Sequence, residues 1–182
     1  VTFVWELLTA NFEVAYREVH IDAPEGAEVP LPAHVAAALS SRDVEAPNNA
    51  ARRAVVAAFD PTVTRRDGAL EAIEAAADRG PVAPCSNCSV PELVGRTLVR
   101  SELRGAFDAV VTSVGCGWRK PDRRAFDAVA TQLGVETESL VHVGDDPDTD
   151  GGIDAAGGEF VDVSETPLSS LTERLRSAEP DT

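Results

Sequence analysis

Lysine is almost absent from this chain. One lysine stands among 16 basic residues, and the remainder are arginine. Acidic residues outnumber basic ones by 31 to 16, and they are dispersed along the chain and give it a net charge of -15. This balance is typical of proteins that stay soluble in molar salt, where ions screen self-repulsion; the alternative is an ordinary acidic protein. It argues against a nucleic-acid partner, because nucleic-acid binding requires a basic face.

Long apolar runs and paired cysteines are also missing. No segment reaches the ~18 apolar residues of a membrane-spanning helix. The opening "VTFVWELLTANF" is apolar, but it has neither a basic start nor a small-residue cleavage site, so we expect no signal peptide and a cytoplasmic location. The cysteines are three, Cys85, Cys88 and Cys116. An odd number favours reduced thiols over a disulfide framework.

Two regions of the chain differ in their pattern. Residues 11–66 have helical spacing in "FEVAYREVH", "AHVAAALSSR" and "NNAARRAVVAAF", with a Pro/Gly loop and no convincing strand between them. From residue 67 onward, the short β-branched segments "PVAPCSN", "FDAVVTSV", "SLVHVGDD" and "EFVDVS" alternate with helical ones. This alternation predicts βαβ units and a parallel sheet.

The segment "PDRRAFDAVATQLG" gives the clearest helix signal. It places Ala125, Phe126, Val129 and Leu133 on one face, and Gly134 is suited to end the helix.

Several polar residues come directly after predicted strands. They are Ser86, Asn87, Lys120, Asp145, Asp146 and Asp150. In a parallel sheet the ligand crevice lies at the carboxyl ends of the strands, so these side chains should converge there. Carboxylates suit a hard cation such as Mg²⁺, and a lysine can neutralise phosphate.

The series "VAPCSN", "GWRKPDRRAF" and "LVHVGDDPDTDGGIDAAGG" resembles motifs two, three and four of the haloacid dehalogenase (HAD) superfamily. The resemblance covers about residues 67–165. It is closest to the branch of small phosphatase- and dehalogenase-like hydrolases with a helical cap. It implies an α/β fold: a three-layer, Rossmann-like parallel sheet over 67–182, a small helical cap over 11–66, and a shortened remnant of the core over 1–10.

The resemblance also implies a role for each matching residue. Ser86 matches the hydroxyl that hydrogen-bonds the transferring group, and Asn87 follows it as a further substrate contact. Lys120 matches the catalytic lysine that balances charge, which explains why this one lysine is kept where arginine is not equivalent. Asp145 and Asp150 match the acids that hold Mg²⁺ directly or through water. The "GDD" form favours Mg²⁺-dependent phosphatases acting on a small phosphorylated molecule.

One element of the family pattern is missing from the printed sequence. The family's nucleophile is an aspartate in an N-terminal strand, and "VTFVWELLTANF" contains no aspartate. Glu6 is the nearest carboxylate, but it is one methylene longer and lacks the following Gly-Thr. Either the motif lies upstream of Val1, or the chain is a degenerate homologue. We expect an impaired phosphomonoesterase or, alternatively, a non-catalytic protein that binds phosphate, metal or a partner.

Ordinary structural roles compete with these assignments. Lys120 could be a solvated residue at a helix start, and Ser86 could cap a turn. Asp146, Asp148 and Asp154 fit an acidic surface or a helix cap.

The other reactive residue types have similar alternatives. A Cys85-x-x-Cys88 pair suggests redox or zinc chemistry, but packed apolar thiols fit a strand end better. His142 lies between valines in a strand, which favours a packed core histidine. Trp118 could line a pocket or anchor its loop.

Overall fold

The computed structural model of the protein describes residues 11–47 and 49–177. Its α-helices are α1 (11–18), α2 (Leu31–Ser40), α3 (Ala50–Ala58), α4 (Ala69–Ala77), α5 (Leu93–Arg100), α6 (Ser113–Cys116), α7 (Arg123–Leu133), α8 (Gly152–Ala155) and α9 (Leu168–Ser177). Its strands are β1 (Cys85–Ser86), β2 (Val111–Thr112), β3 (Val141–Gly144) and β4 (Glu159–Asp162). Glu6 and the opening segment lie outside the described residues.

The strands pair in parallel, as the alternation of strands and helices predicted. β1 pairs with β2 in the register Cys85 opposite Val111, and β3 pairs with β4 in the register Val141 opposite Glu159. Each pair encloses a crossover that contains helix, so the protein is an α/β protein. Within the described ranges, the two pairs are not joined to each other by a strand ladder.

The two faces of β3 differ in their exposure. Leu140 and Gly144 accept backbone hydrogen bonds from the β4 side, at 2.9 Å each. The alternate residues Val141 and Val143 are 55% and 40% exposed. The apolar residues of this strand therefore face away from the described core, and His142, which alternates with them, faces inward.

Helix α7 forms as the sequence predicted and supplies the centre of the core. Phe126 is 1% exposed and packs with Ile153 and Ala156 of the α8 region. Gly134 ends the helix in the left-handed region, at φ 70°, where glycine lacks the Cβ penalty of other residues. Burial of a side chain the size of Phe126 stabilises a fold by about 1.5–3 kcal/mol, and here it fixes α7 against the α8 region.

Residues 11–66 are helical in their described part, apart from loops and a single bridge. Ala27 forms an isolated antiparallel bridge with Trp118, in the loop that leads to α7. The helical region thus contacts the α/β region at the loop that carries Lys120. The division at residue 66 stays a prediction. No described helix is long and apolar enough to cross a membrane.

Candidate active site

Lys120 lies in the loop between α6 and α7, and its backbone is clamped by one amide side chain. The backbone N–H of Lys120 donates to Asn87 Oδ1 at 2.8 Å, and Asn87 Nδ2 donates to the Lys120 carbonyl at 2.8 Å. Asn87 comes directly after β1, so this reciprocal pair ties the Lys120 loop to the end of that strand. The sequence predicted that these two residues converge, and the structure places them together.

The Lys120 side chain is directed inward and is only 9% exposed. Its Nζ donates to the Cys85 carbonyl at 2.8 Å and to Asp150 Oδ1 at 2.5 Å. It also lies 3.3 Å from His142 Nε2. A buried ammonium is tolerated only when it is paired and hydrogen-bonded. The only lysine of the chain is therefore a buried, paired charge and not a solvated helix-start charge.

Asp150 is the counter-ion of this lysine and is 5% exposed. Besides Lys120, its carboxylate accepts the backbone N–H groups of Asp145 and Asp146, both on Oδ2 at 3.2 Å. The close approach requires glycine at Gly144, because a Cβ there would lie 2.2 Å from Asp150 Oδ2. Asp150 thereby joins the Lys120 loop to the carboxyl end of β3.

Hydrogen bonding decides the charge state of Asp150. Burial alone would raise its pKa, but the hydrogen bonds from Lys120 and His142 outweigh burial and hold the pKa below the usual value. The carboxylate is therefore ionised at neutral pH, and it balances the charge of the lysine.

His142 was expected from the sequence as a packed core histidine, and the structure also places it against the Lys120–Asp150 pair. Its ring packs edge-on against Phe126, with centroids 5.5 Å apart, as expected of a core histidine. Its Nε2 also lies 2.9 Å from Asp150 Oδ1. Burial lowers the pKa of His142, and the charge of Lys120 lowers it further, against the opposing hydrogen bond with Asp150. A neutral ring protonated on Nε2 donates to Asp150 and leaves Lys120 as a charged neighbour.

The exposed carboxylates beyond β3 fall into two kinds. Asp146 is engaged locally, because its carboxylate accepts the Asp148 N–H at 3.1 Å and the Thr149 hydroxyl at 2.8 Å. It shapes the turn before α8, as one of the competing interpretations predicted. Asp145 is exposed, and in the described structure no hydrogen bond or ion pair engages its carboxylate. Asp145 is thus open to an external ligand.

Ser86 lies in β1 opposite Thr112 and is half-buried. No hydrogen bond to its hydroxyl is found among the described residues, so the turn-capping alternative has no support. Ser86 stands between the lysine-bound carbonyl of Cys85 and the amide of Asn87 in the sequence. Its hydroxyl is available to a ligand at the carboxyl end of β1.

The side chains available as ligands decide which divalent metal this site suits. Within residues 11–47 and 49–177, no three His, Cys, Asp or Glu side chains are grouped to hold an ion. This disfavours a zinc site at the cysteines, since zinc prefers four protein ligands. Mg²⁺ needs only one or two carboxylates plus phosphate and water. The unengaged Asp145 fits that requirement, and Asp150, committed to Lys120, fits a bond through water.

The cysteines are packed thiols. Burial raises the pKa of Cys85 to about 11. Cys88 Sγ donates to the Val90 carbonyl at 3.4 Å, and Cys116 Sγ donates to the Trp118 carbonyl at 3.3 Å. All three are free thiols. Redox chemistry depends on the thiolate, so the environment of Cys85 disfavours it.

Trp118 anchors its loop. The guanidinium of Arg124 lies over its ring, with Cζ 3.2 Å from the centroid. A cation held over an aromatic face stabilises both side chains. This contact joins the loop to the first turn of α7, which favours the anchoring role over the pocket-lining role.

Parallel strands that end at a buried lysine–aspartate pair define an α/β protein, a class in which the ligand crevice lies at the carboxyl ends of the strands. The family model for haloacid dehalogenase-like hydrolases matches residues 5–157. The chain belongs to this family of hydrolases. Among solved structures, it is similar to a HAD phosphatase from Thermococcus onnurineus, with a TM-score of 0.54 and 23% identity over 60% of this chain. That likeness shows the fold, and the match spans 57% of the phosphatase chain. No curated protein matches significantly.

Proposed function

We propose that the Lys120 site binds a small phosphorylated molecule together with Mg²⁺, as in a phosphomonoesterase of this family. The observation that carries the proposal is the buried Lys120 ammonium, held where β1 and β3 end and paired with Asp150. The backbone N–H of Asp145 donates to the same Asp150 carboxylate, and the side chain of Asp145 is exposed and unengaged among the described residues. A fixed positive charge and a free carboxylate at the same strand ends suit a phosphate bound together with a divalent cation.

Each residue then has a distinct role. Lys120 balances the negative charge of the phosphate, and Ser86 with Asn87 contacts the phosphate oxygens from the end of β1. Asp145 holds Mg²⁺, which supplies charge neutralisation when bound, and Asp150 keeps Lys120 protonated and in place while it assists the metal through water. These roles use preorganised groups, which need no rearrangement during the reaction.

We further propose that this chain turns substrate over poorly. Covalent phosphoryl transfer needs a nucleophile, and residues 1–10 of the printed sequence contain no aspartate. Glu6 is the nearest carboxylate in that segment, and its extra methylene would misplace the attacking oxygen. A displacement near 1 Å can cost on the order of a hundredfold in rate. The acidic composition with one lysine also supports a salt-rich working environment, and we propose a cytoplasmic location.

The test is hydrolysis of p-nitrophenyl phosphate by the chain in molar KCl, with and without Mg²⁺. Asp145→Asn is the site variant, and Asp148→Asn is the matched control on the same acidic turn. We expect little turnover, with calorimetry showing Mg²⁺-dependent binding of inorganic phosphate that Asp145→Asn abolishes and Asp148→Asn keeps. Rapid Mg²⁺-dependent turnover that Asp145→Asn abolishes would overturn the proposed impairment.

A non-catalytic binding protein is the second candidate, favoured by the lack of an aspartate within residues 1–10 of the printed sequence. It predicts Mg²⁺-dependent phosphate binding with no turnover from any phosphomonoester. If folded protein binds neither Mg²⁺ nor phosphate, both proposals are wrong. The calorimetric and kinetic measurements together therefore separate the two.

A further inference from the structure

Glu28 is a buried carboxylate that the proposed function does not use. Its side chain is 3% exposed, although it lies in the loop between α1 and α2, far from the site motifs in the sequence. Arg119 Nη1 donates to its Oε2 at 2.7 Å, and the Ser113 hydroxyl donates to the same oxygen. A buried carboxylate is costly unless it is paired, and the hydrogen bonds from Arg119 and Ser113 offset that cost here.

The partners of Glu28 connect it to both loops of the site. Ser113 Oγ accepts the backbone N–H of Cys88 at 2.8 Å, and Cys88 follows Asn87 directly. Arg119 precedes Lys120 directly. One carboxylate thus joins the loop that carries the clamping amide to the loop that carries the lysine.

Backbone contacts hold the same segment against the Lys120 loop. The N–H of Glu28 donates to the Gly117 carbonyl at 2.8 Å, and the N–H of Arg119 donates to the Gly26 carbonyl at 2.9 Å. Gly26 has a φ of +77°, and a Cβ there would lie 2.3 Å from Asp122 Oδ2. Glycine at this position permits both the turn and the close approach.

The backbone of Lys120 is consequently held from two directions. Asn87 bonds its N–H and carbonyl from the core side. The segment 24–28 holds the preceding residue, Arg119, through its main chain and its guanidinium. Release of either side would leave the Lys120 backbone held from the other side alone.

We propose that Glu28 is a positioning residue for Lys120. Its carboxylate draws Arg119 and Ser113 together, so the segment 24–28 of the helical region sets where the lysine backbone stands. The effect of Glu28 on the position of Lys120 in ligand-free protein follows from these contacts alone. Its effect on ligand binding rests on the proposed phosphate site.

The single lysine makes a selective probe possible. Protein labelled only at lysine, with ¹⁵N on the backbone and ¹³C at Cε, gives one backbone amide signal and one side-chain signal, both from Lys120. Glu28→Ala removes the carboxylate, and Glu28→Gln keeps an oxygen that can accept both bonds. Glu25→Ala and Glu25→Gln are matched controls, because the Glu25 side chain is exposed on the same segment and only its carbonyl is used, by Arg124.

We expect Glu28→Ala to shift and broaden both Lys120 signals, Glu28→Gln to restore them largely, and both Glu25 variants to leave them in place. Circular dichroism and thermal unfolding establish that the compared variants are folded. If Glu28→Ala does not fold, Arg119→Ala, which removes the exposed partner, must shift the signals in comparison with wild type. Unchanged Lys120 signals in folded Glu28→Ala, or in folded Arg119→Ala when the former fails to fold, would overturn the proposal.

A titration of the same labelled proteins with inorganic phosphate and Mg²⁺ separates this proposal from the proposed function. Glu28→Ala should weaken phosphate binding about tenfold, the cost of one misplaced charge-assisted hydrogen bond. A wild-type Lys120 signal that ignores phosphate and Mg²⁺ contradicts the phosphate site, whereas the comparison of Glu28 variants in ligand-free protein still decides the positioning role. Binding of equal strength in wild type and Glu28→Ala would overturn the link between position and affinity.

Discussion

Asp145 and Asp150 belong to one short acidic segment after β3, yet they occupy opposite environments. Asp150 accepts hydrogen bonds from Lys120 and from the N–H groups of Asp145 and Asp146, and it is buried. The carboxylate of Asp145 is exposed and is not engaged by the described residues. The same residue type therefore serves in one place as an internal counter-ion and in the other as an open donor. The surroundings of each aspartate, and not the chemistry of its side chain, decide which of the two roles it has.

The strongest test of this contrast is Asp150→Asn. It leaves the buried Lys120 ammonium without its counter-charge, and breaking such a pair costs about 3–5 kcal/mol. Urea unfolding in molar KCl should show that loss in the free energy of unfolding. The matched control is Asp148→Asn, whose exposed carboxylate should change it by less than about 0.5 kcal/mol. Equal stability of the two variants would contradict the counter-ion role of Asp150.

Gly144→Ala tests the same pair from the backbone side. The added methyl would lie 2.2 Å from Asp150 Oδ2, so the carboxylate or the end of β3 must shift. Overpacking of this kind costs about 1–3 kcal/mol, measured by urea unfolding. Gly80→Ala is the control, since a Cβ there meets nothing within 4 Å. A stable Gly144→Ala protein with unchanged Lys120 signals would show that the contact is loose.

The third test is the pH dependence of the free energy of unfolding, for which we expect a smaller change. The folded pKa of His142 lies below the ordinary value of 6.5, so the unfolded chain takes up a proton first as the pH falls. The contribution of His142 is complete above about pH 6.5 and declines below it. Unfolding measured between pH 7 and pH 5 in metal-free buffer should show this slope, and His142→Gln should flatten it. An identical slope in the variant would exclude His142 as its source.

The smallest predicted effect concerns the chemical reactivity of the Cys85 thiol. Its pKa is raised to about 11, from an ordinary value of 9.0, so its stabilising contribution is complete below pH 9 and is lost as the pH rises through 11. Iodoacetamide at pH 8, followed by peptide mass spectrometry, should label Cys85 far more slowly in folded protein than in urea. Equal labelling in both would mean that the thiol is not buried beside Lys120.

The convergence of Lys120, Asn87 and Asp150 was predictable from sequence, because parallel strands end at one edge and each residue follows a strand. The ion pair itself was not, since motif position assigned Asp150 to the metal and gave no sign of its bond to Lys120. The metal roles of Asp145 and Asp150 and the ligand role of Ser86 stay predictions.

His142 and Glu28 show the limits of the pattern. Alternation with Val141 and Val143 suggested a packed core histidine, and the ring does pack against Phe126. The same pattern gave no sign that His142 also contacts the Lys120–Asp150 pair. Glu28 carried no signal, because its partners Ser113 and Arg119 are 85 and 91 residues away. Contacts between residues so far apart in the sequence leave no periodic pattern from which they could be predicted.

By itself, the sequence determined the α/β class, the amphipathic α7 and the small set of polar residues at the strand ends. Those features depend on local spacing, which repeats along the chain and can be counted. Tertiary structure alone decided which carboxylate is buried, which face of β3 is directed inward and that the distant Glu28 contacts the Lys120 loop. These outcomes depend on desolvation and pairing energies between distant segments, and those energies exist only after the chain has folded.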